Sequence, residues 1–128
     1  EGLLRRFGDR PEFAIFVGVG RLMAQGLKLG AEGIVPSVGN LIPEVCRELC
    51  ACARRGDWAE AQGYAKRMTD VSALYQNGRT LSQSLAALKG AMSCLGLCEP
   101  NVLPPLLPLP PPELEGIRRE MSGLHLLI

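Results

Sequence analysis

The sequence predicts an α/β start that gives way to a mostly helical remainder, and three observations carry this. Two short, continuous apolar runs, Phe13–Val17 and one beginning at Ile34, are each bounded by turn residues. Between them lies a segment with helical spacing that stops at Gly30. Beyond Asn40, apolar residues recur only at helical intervals. Short apolar runs of this kind suit strands covered on both faces, as in a parallel sheet. Strand, helix and strand with turns between them make a parallel crossover unit.

The elements follow in order. GLLRRFGDRP reads as a helix end and a turn, which places the start of this 128-residue sequence inside a fold. The first strand lies near 13–17 and ends at Gly18. Leu22, Met23, Gly26 and Leu27 then keep helical spacing until Gly30 terminates the helix. The second strand lies near 34–37. Pro36 cannot donate to a ladder, so it marks the strand's C-terminal tip. Pro43 suits a first helical position and Gly56 a terminator. On that helix Leu41, Val45, Leu49 and Ala53 share a face, with Ile42, Cys46 and Cys50 beside them. Cys52 falls about 200° from Cys50 around the axis.

Asp57 to Glu60 has capping-box spacing and opens a helix striped with Ala61, Tyr64, Ala65, Met68, Val71 and Tyr75. Asn77-Gly78 ends it. Thr80 to Gln83 is a second capping box, before a helix whose expected face is Leu81, Leu85, Leu88, Met92 and Leu95. LPPLLPLPPP, from 103 to 112, is an extended connector, because prolines at that density forbid helix and central strand. A last helix from about Glu113 carries Leu114, Ile117, Met121 and Leu124 on one face. The three long helices, joined by short links, are expected to pack as antiparallel neighbours.

Composition excludes several classes of function. Fourteen basic and thirteen acidic residues leave a net charge of +1, which gives no electrostatic case for nucleic acid or an anionic membrane. No apolar run approaches the ~18–20 residues of a membrane span. Five cysteines, an odd number in helical context, argue for reduced thiols and a cytoplasmic protein. Metal ligation by Cys46, Cys50 and Cys52 is disfavoured, since structural zinc wants four converging ligands. These thiols, with Cys94 and Cys98, read as small buried hydrophobes. No cofactor is expected: Gly18-Val19-Gly20 lacks the third glycine of a dinucleotide fingerprint.

The segment Gly30–Glu44, GAEGIVPSVGNLIPE, together with GDWAEA at Gly56–Ala61, resembles the C-terminal part of the dihydrodipicolinate synthase / N-acetylneuraminate lyase family. The matching residues include Gly18, Gly30-Ala31, Gly33, Asn40, Pro43, Gly56-Asp57, Ala61, Lys89 and the connector from Leu103. Members of that family are class I Schiff-base aldolases on a TIM (β/α)8 barrel. The resemblance implies that this chain holds the last two parallel strands and their helices, plus a three-helix C-terminal extension. It divides the chain into residues 1–56, the closing β/α units, and 57–128, the helical extension. A complete barrel takes roughly 250 residues, about twice this length.

The resemblance also implies a site. Active sites of such barrels lie at the C-terminal ends of the strands. Backbone at Gly18 and Val35 is expected to border a pocket for a small 2-oxo acid of the pyruvate type. Gly18 is equally read as a plain strand-to-helix turn. Ser37 falls where sialic-acid lyases contact the sugar-like part of the substrate, although a satisfied hydroxyl at a strand end is the favoured reading. Asn40 is placed to orient substrate or to form a local turn. Gly20, Pro36 and Leu103 depart from residues common in the family, so the particular substrate is not named. The family assembles as dimers or tetramers, which implies a homo-oligomer.

No catalytic residue is expected within this chain. The family's nucleophile is a lysine on the sixth barrel strand, upstream of these residues. Lys28, Lys66 and Lys89 all fall on amphipathic helices, where an amine stays solvated, whereas Schiff-base chemistry wants it desolvated at a strand end. His125 lies near the terminus with nothing to position it as a base. The expectation is therefore part of a carbon–carbon lyase, inactive on its own. The competing reading is a non-catalytic helical interaction module with a small α/β cap.

Overall fold

A computed structural model describes residues 2–127. The chain forms two compact units that divide within one helix, between Asp70 and Val71. No described helix is long and apolar enough to cross a membrane.

The first unit opens with α1 (Gly2–Phe7), whose end turns back through Gly8 N–H donated to the Leu4 carbonyl. Phe7 stacks on Phe13 at 4.9 Å between ring centres, and the Arg6 and Arg10 guanidiniums lie 5.6 and 5.5 Å from the Phe7 ring centre. Strand β1 (Phe16–Val17) pairs in parallel with β2 (Gly33–Ile34), in the register Phe16 to Gly33 and Val17 to Ile34. Between them a 3-10 turn at Gly20–Leu22 leads into α2 (Met23–Lys28). Gly30, at φ +95°, takes the left-handed turn after α2 that a side chain disfavours.

Both strands are shorter than the sequence predicts. Phe13 N–H is held by the Arg10 carbonyl at 3.0 Å, so the chain is still turning there. Ladder bonds run from Glu32 N–H to the Ile15 carbonyl and from Val35 N–H to the Val17 carbonyl, each 2.9 Å. Pro36 then offers no donor, and the chain curls into a 3-10 turn at Ser37–Asn40.

Helix α3 (Pro43–Arg55) begins and ends where the sequence predicts. Gly56 adopts a left-handed conformation, with its N–H on the Ala53 carbonyl and Asp57 N–H on the Cys52 carbonyl. This is a Schellman stop. Helix α4 (Trp58–Gln76) starts at once, with Asp57 Oδ1 accepting from Glu60 N–H at 3.1 Å. Because Asp57 N–H already serves α3, the Glu60 carboxylate turns to other partners, described below.

Cys52 is fully buried, as expected of a small hydrophobe, although it lies on the far side of α3 from Cys50. The abrupt return of the chain at Gly56 brings the first turn of α4 over that side, and Glu60 reaches the Cys52 thiol.

In the second unit, Gly78 at φ +69° follows the end of α4. Thr80 and Gln83 form the predicted capping box of α5 (Leu81–Cys94), with Thr80 N–H to Gln83 Oε1 at 2.8 Å and Gln83 N–H to Thr80 Oγ1 at 3.4 Å. Of the leucine face expected for α5, only Leu88 is buried. Leu81 and Leu85 are exposed, while Ser84, Ala86, Ala87, Leu88, Gly90 and Ala91 are buried. Small residues win that face because they admit close neighbours. At Gly90 a methyl group would stand 3.1 Å from both Leu109 and Leu114 side chains. The connector after α5 lies on that face, and α6 (Pro111–Gly123) packs against α5 with Ile117 and Met121 buried. Arg79 joins the Glu113 carboxylate, 3.4 Å away.

Candidate functional site

Alternation along β1 and β2 sorts their side chains into two faces. Val17 lies against α2: a methyl group on buried Gly26 would overlap the Val17 Cγ2. Its face, shared with Ile34 by register, is therefore the helix-covered one. Phe16 and Gly33 fall on the opposite face, and one step further along so do Gly18 and Val35. That face is uncovered within the chain, with Phe16 59% and Val35 65% exposed.

The structure brings Gly18 and Val35 together. A Cβ on Gly18 would meet only the Val35 carbonyl oxygen, at 4.0 Å. Glycine at 18 is thus not demanded by packing, in contrast to Gly26. Val35 donates its N–H to Val17, so the group it offers at the tip is its carbonyl oxygen. A carbonyl accepts a hydrogen bond from a donor and does not hold an anion.

Ser37 and Asn40 follow directly in the 3-10 turn, and both are exposed. The Asn40 amide donates to the Ser37 carbonyl at 2.9 Å, which gives it the turn-forming role left open beside substrate contact. A groove of about 590 Å³ runs from the β1 tip along the helix-covered side, walled by Leu4, Ile15, Val17, Gly18, Leu22 and Leu29.

The three lysines all lie on helices, Lys28 on α2, Lys66 on α4 and Lys89 on α5. Lys28 Nζ sits 5.8 Å from the Trp58 ring centre, Lys66 pairs with Asp70 at 2.6 Å, and Lys89 borders an apolar groove on α5. His125 occupies the left-handed position after α6, at φ +54°, with Leu126 N–H returning to the Met121 carbonyl. Its place is that of a helix stop.

A polar cluster at the α3–α4 corner escaped the sequence reading. The Cys52 thiol donates to Glu60 Oε2 and accepts from Arg55, both at 3.3 Å. Arg55 and Glu60 are 3.5 Å apart, and the Tyr64 hydroxyl donates to Glu60 Oε1 at 3.4 Å. Burial, then Glu60, pushes the Cys52 thiol up from its ordinary value. Burial, then the charges of Glu60 and Glu48, does the same to the Tyr64 phenol. Cys46 rises to about 11 through burial and its neighbours Cys50 and Glu44. Thiols held protonated in this way are poor nucleophiles and poor metal ligands. Among the described residues, no three His, Cys, Asp or Glu side chains gather as a metal site. The signal for the corner was the spacing Cys52-x2-Arg55 and Glu60-x3-Tyr64 either side of a glycine stop.

Two adjacent parallel strands, helices on one face and a bare inner face at the strand tips define part of a β/α barrel. The Dihydrodipicolinate synthetase family profile matches residues 5–122, and the chain belongs to that family. A 4-hydroxy-tetrahydrodipicolinate synthase from Alkalilimnicola ehrlichii is 31% identical over 121 residues, covering 94% of this chain and 39% of the relative. The dihydrodipicolinate synthase of Bacteroides thetaiotaomicron superposes with a TM-score of 0.85 at 30% identity, over 94% of this chain and 41% of that one. YagE of Escherichia coli K12, solved in complex with pyruvate, superposes with a TM-score of 0.80 at 27% identity, over 97% of this chain and 41% of that one. The chain thus spans about two-fifths of the length of these relatives. Its fold is that of the C-terminal part of a TIM barrel with the helical extension that follows, and its relatives are lyases and aldolases.

Proposed function

We propose that the functional protein is an aldolase or lyase acting on a pyruvate-type 2-oxo acid through an imine, and that this chain supplies the closing part of its active site. Residues 1–56 provide the last β/α units and 57–128 the helical extension. The reactive lysine belongs to a strand preceding this chain. The observation that carries the reading is the side-by-side placement of Gly18 and Val35 at the tips of two parallel strands, on the face that barrel helices do not cover. The pyruvate complex of YagE supports the substrate class.

The chemistry divides among these parts. The lysine amine adds to the substrate's C2 carbonyl, water leaves, and the resulting iminium withdraws the electrons of the C–C bond that breaks, or stabilises the carbanion equivalent that forms one. Gly18 lets the substrate approach the main chain closely, as no Cβ intervenes. The Val35 carbonyl accepts a hydrogen bond from the hydroxyl of the tetrahedral adduct. Ser37 and Asn40 line the rim where the second substrate enters.

The test is borohydride trapping with pyruvate. The functional protein acquires a stable adduct on a lysine outside this sequence, and the 128-residue chain alone acquires none. An adduct on Lys28, Lys66 or Lys89 would refute the assignment. The same reading makes the functional protein a cytoplasmic homo-oligomer; a monomeric mass in sedimentation counts against that assembly, and secretion against that compartment.

A further inference from the structure

The ring of Phe16 fills a space that Gly33 leaves open. A Cβ built on Gly33 would stand 2.9 Å from Phe16 Cε1 and 3.0 Å from Cδ1, closer than carbon atoms pack. The two residues are register partners on the inner face of the sheet. Gly18 and Val35 are the next register pair on that face. Two residues of strand separate the pairs by about 6–7 Å along the strand. The ring therefore lies one layer below the tip, on the axis side of the barrel, and is 59% exposed within this chain.

We infer that Phe16 is the floor of the substrate pocket and sets its depth, so that it decides the size of 2-oxo acid the site accepts. This rests on the proposed imine chemistry at the tips. Gly33 is the partner that makes the floor possible: a side chain there drives the ring off its seat. An aromatic ring at that depth also keeps water from beneath the reacting carbon.

The experiment uses the functional protein with two probes, pyruvate and 2-oxobutanoate, which differ by one methylene. The concentration that gives half-maximal borohydride trapping is measured for each. The wild type traps pyruvate in preference. Phe16→Ala opens the floor, and the preference shifts toward 2-oxobutanoate by about tenfold or more, the usual worth of one methylene in an apolar pocket. Gly33→Ala displaces the ring and shifts the preference between the two acids away from the wild-type value. An unchanged preference in folded Phe16→Ala overturns the floor. If that variant does not fold, the smaller Phe16→Leu change is measured instead, and an unchanged preference there overturns it equally. A merely structural role would lower the trapped fraction of both acids together and leave their ratio alone. Failure of the wild type to trap either acid defeats the imine reading itself, and the floor falls with it.

Discussion

Gly26 provides a direct measure of how tightly the strand–helix layer is packed. The variant is Gly26→Ala in α2, with Gly63→Ala in α4 as its partner experiment. Both substitutions replace a helical glycine, so both gain about 1 kcal/mol of helix propensity. Their surroundings differ. A Cβ at Gly63 meets nothing within 4 Å, whereas at Gly26 it would overlap Val17 Cγ2 and lie 3.4 Å from Val17 Cβ. Carbon atoms prefer about 3.5–4.0 Å. Val17 is β-branched and stiff about χ1, and its strand is pinned by the hydrogen bond to Val35. Little can give except the strand itself. Overpacking of this kind costs about 1–3 kcal/mol.

Gly63→Ala is therefore stabilising by about 1 kcal/mol, and Gly26→Ala falls between neutrality and a loss of about 2 kcal/mol. The gap between the two variants, about 1–3 kcal/mol, is the packing term alone, because the propensity gain cancels. Urea unfolding followed by Trp58 fluorescence reads it. The indole packs against Lys28, two residues from the substitution, so it reports on the unit in question. Equal stabilisation by both variants, with unchanged m, would refute the packing account. It would also remove the reason for assigning Val17 to the helix-covered face and Phe16 to the inner one.

Two further outcomes are expected. Thr80→Ala lowers stability by about 1 kcal/mol. Gln83→Ala costs less in the Thr80→Ala background than alone, because the two side chains satisfy each other's backbone N–H groups; additive losses in the four-way cycle would contradict the capping box. The second concerns pH. The Cys46 thiol rises from an ordinary 9.0 to about 11 on folding. Its folded pKa lies above the unfolded one, so between those values the unfolded chain releases the proton first. Stability is complete below pH 9 and declines between pH 9 and 11. Cys46→Ala flattens that decline, and an identical pH profile in the variant would show that Cys46 does not carry it.

How much was legible depended on what kind of force set each feature. The helix limits were written in local chemistry: Pro43 at a first turn, Gly56 and Gly78 in left-handed stops, and the Thr80–Gln83 box all act within a few residues. The strands were legible as apolar runs but not in length, because ladder length depends on a partner distant in sequence and on Pro36 ending the donors. The α5 face misled for a similar reason. Hydrophobicity favoured Leu81 and Leu85, whereas the real contact is decided by what approaches. Leu109 and Leu114 come close enough to require Gly90, and that could not be inferred from α5 alone. At the site, the nearness of Gly18 and Val35 followed from the strand pattern and the family resemblance together. The spent N–H of Val35, the seat of Phe16 over Gly33 and the corner around Cys52 required coordinates, since each is a matter of which atoms already have partners.

The inner sheet face also weighs between the two readings of the chain. Parallel sheets are ordinarily covered on both faces, and a pair of two-residue strands is too small to be stable by itself. Here one face packs against α2, while the other carries an aromatic ring and a valine more than half exposed. A self-sufficient interaction module would place polar residues on a face meant for water. This face instead alternates large and absent side chains, Phe16 against Gly33 and Val35 against Gly18, the pattern of a layer that interdigitates with further strands around a barrel axis. The glycines differ in consequence. Gly33 is required by a neighbour within the chain, whereas Gly18 has open space around it. Under the proposed function, the open space at Gly18 is where a ligand would approach the strand tip closely, since no Cβ intervenes.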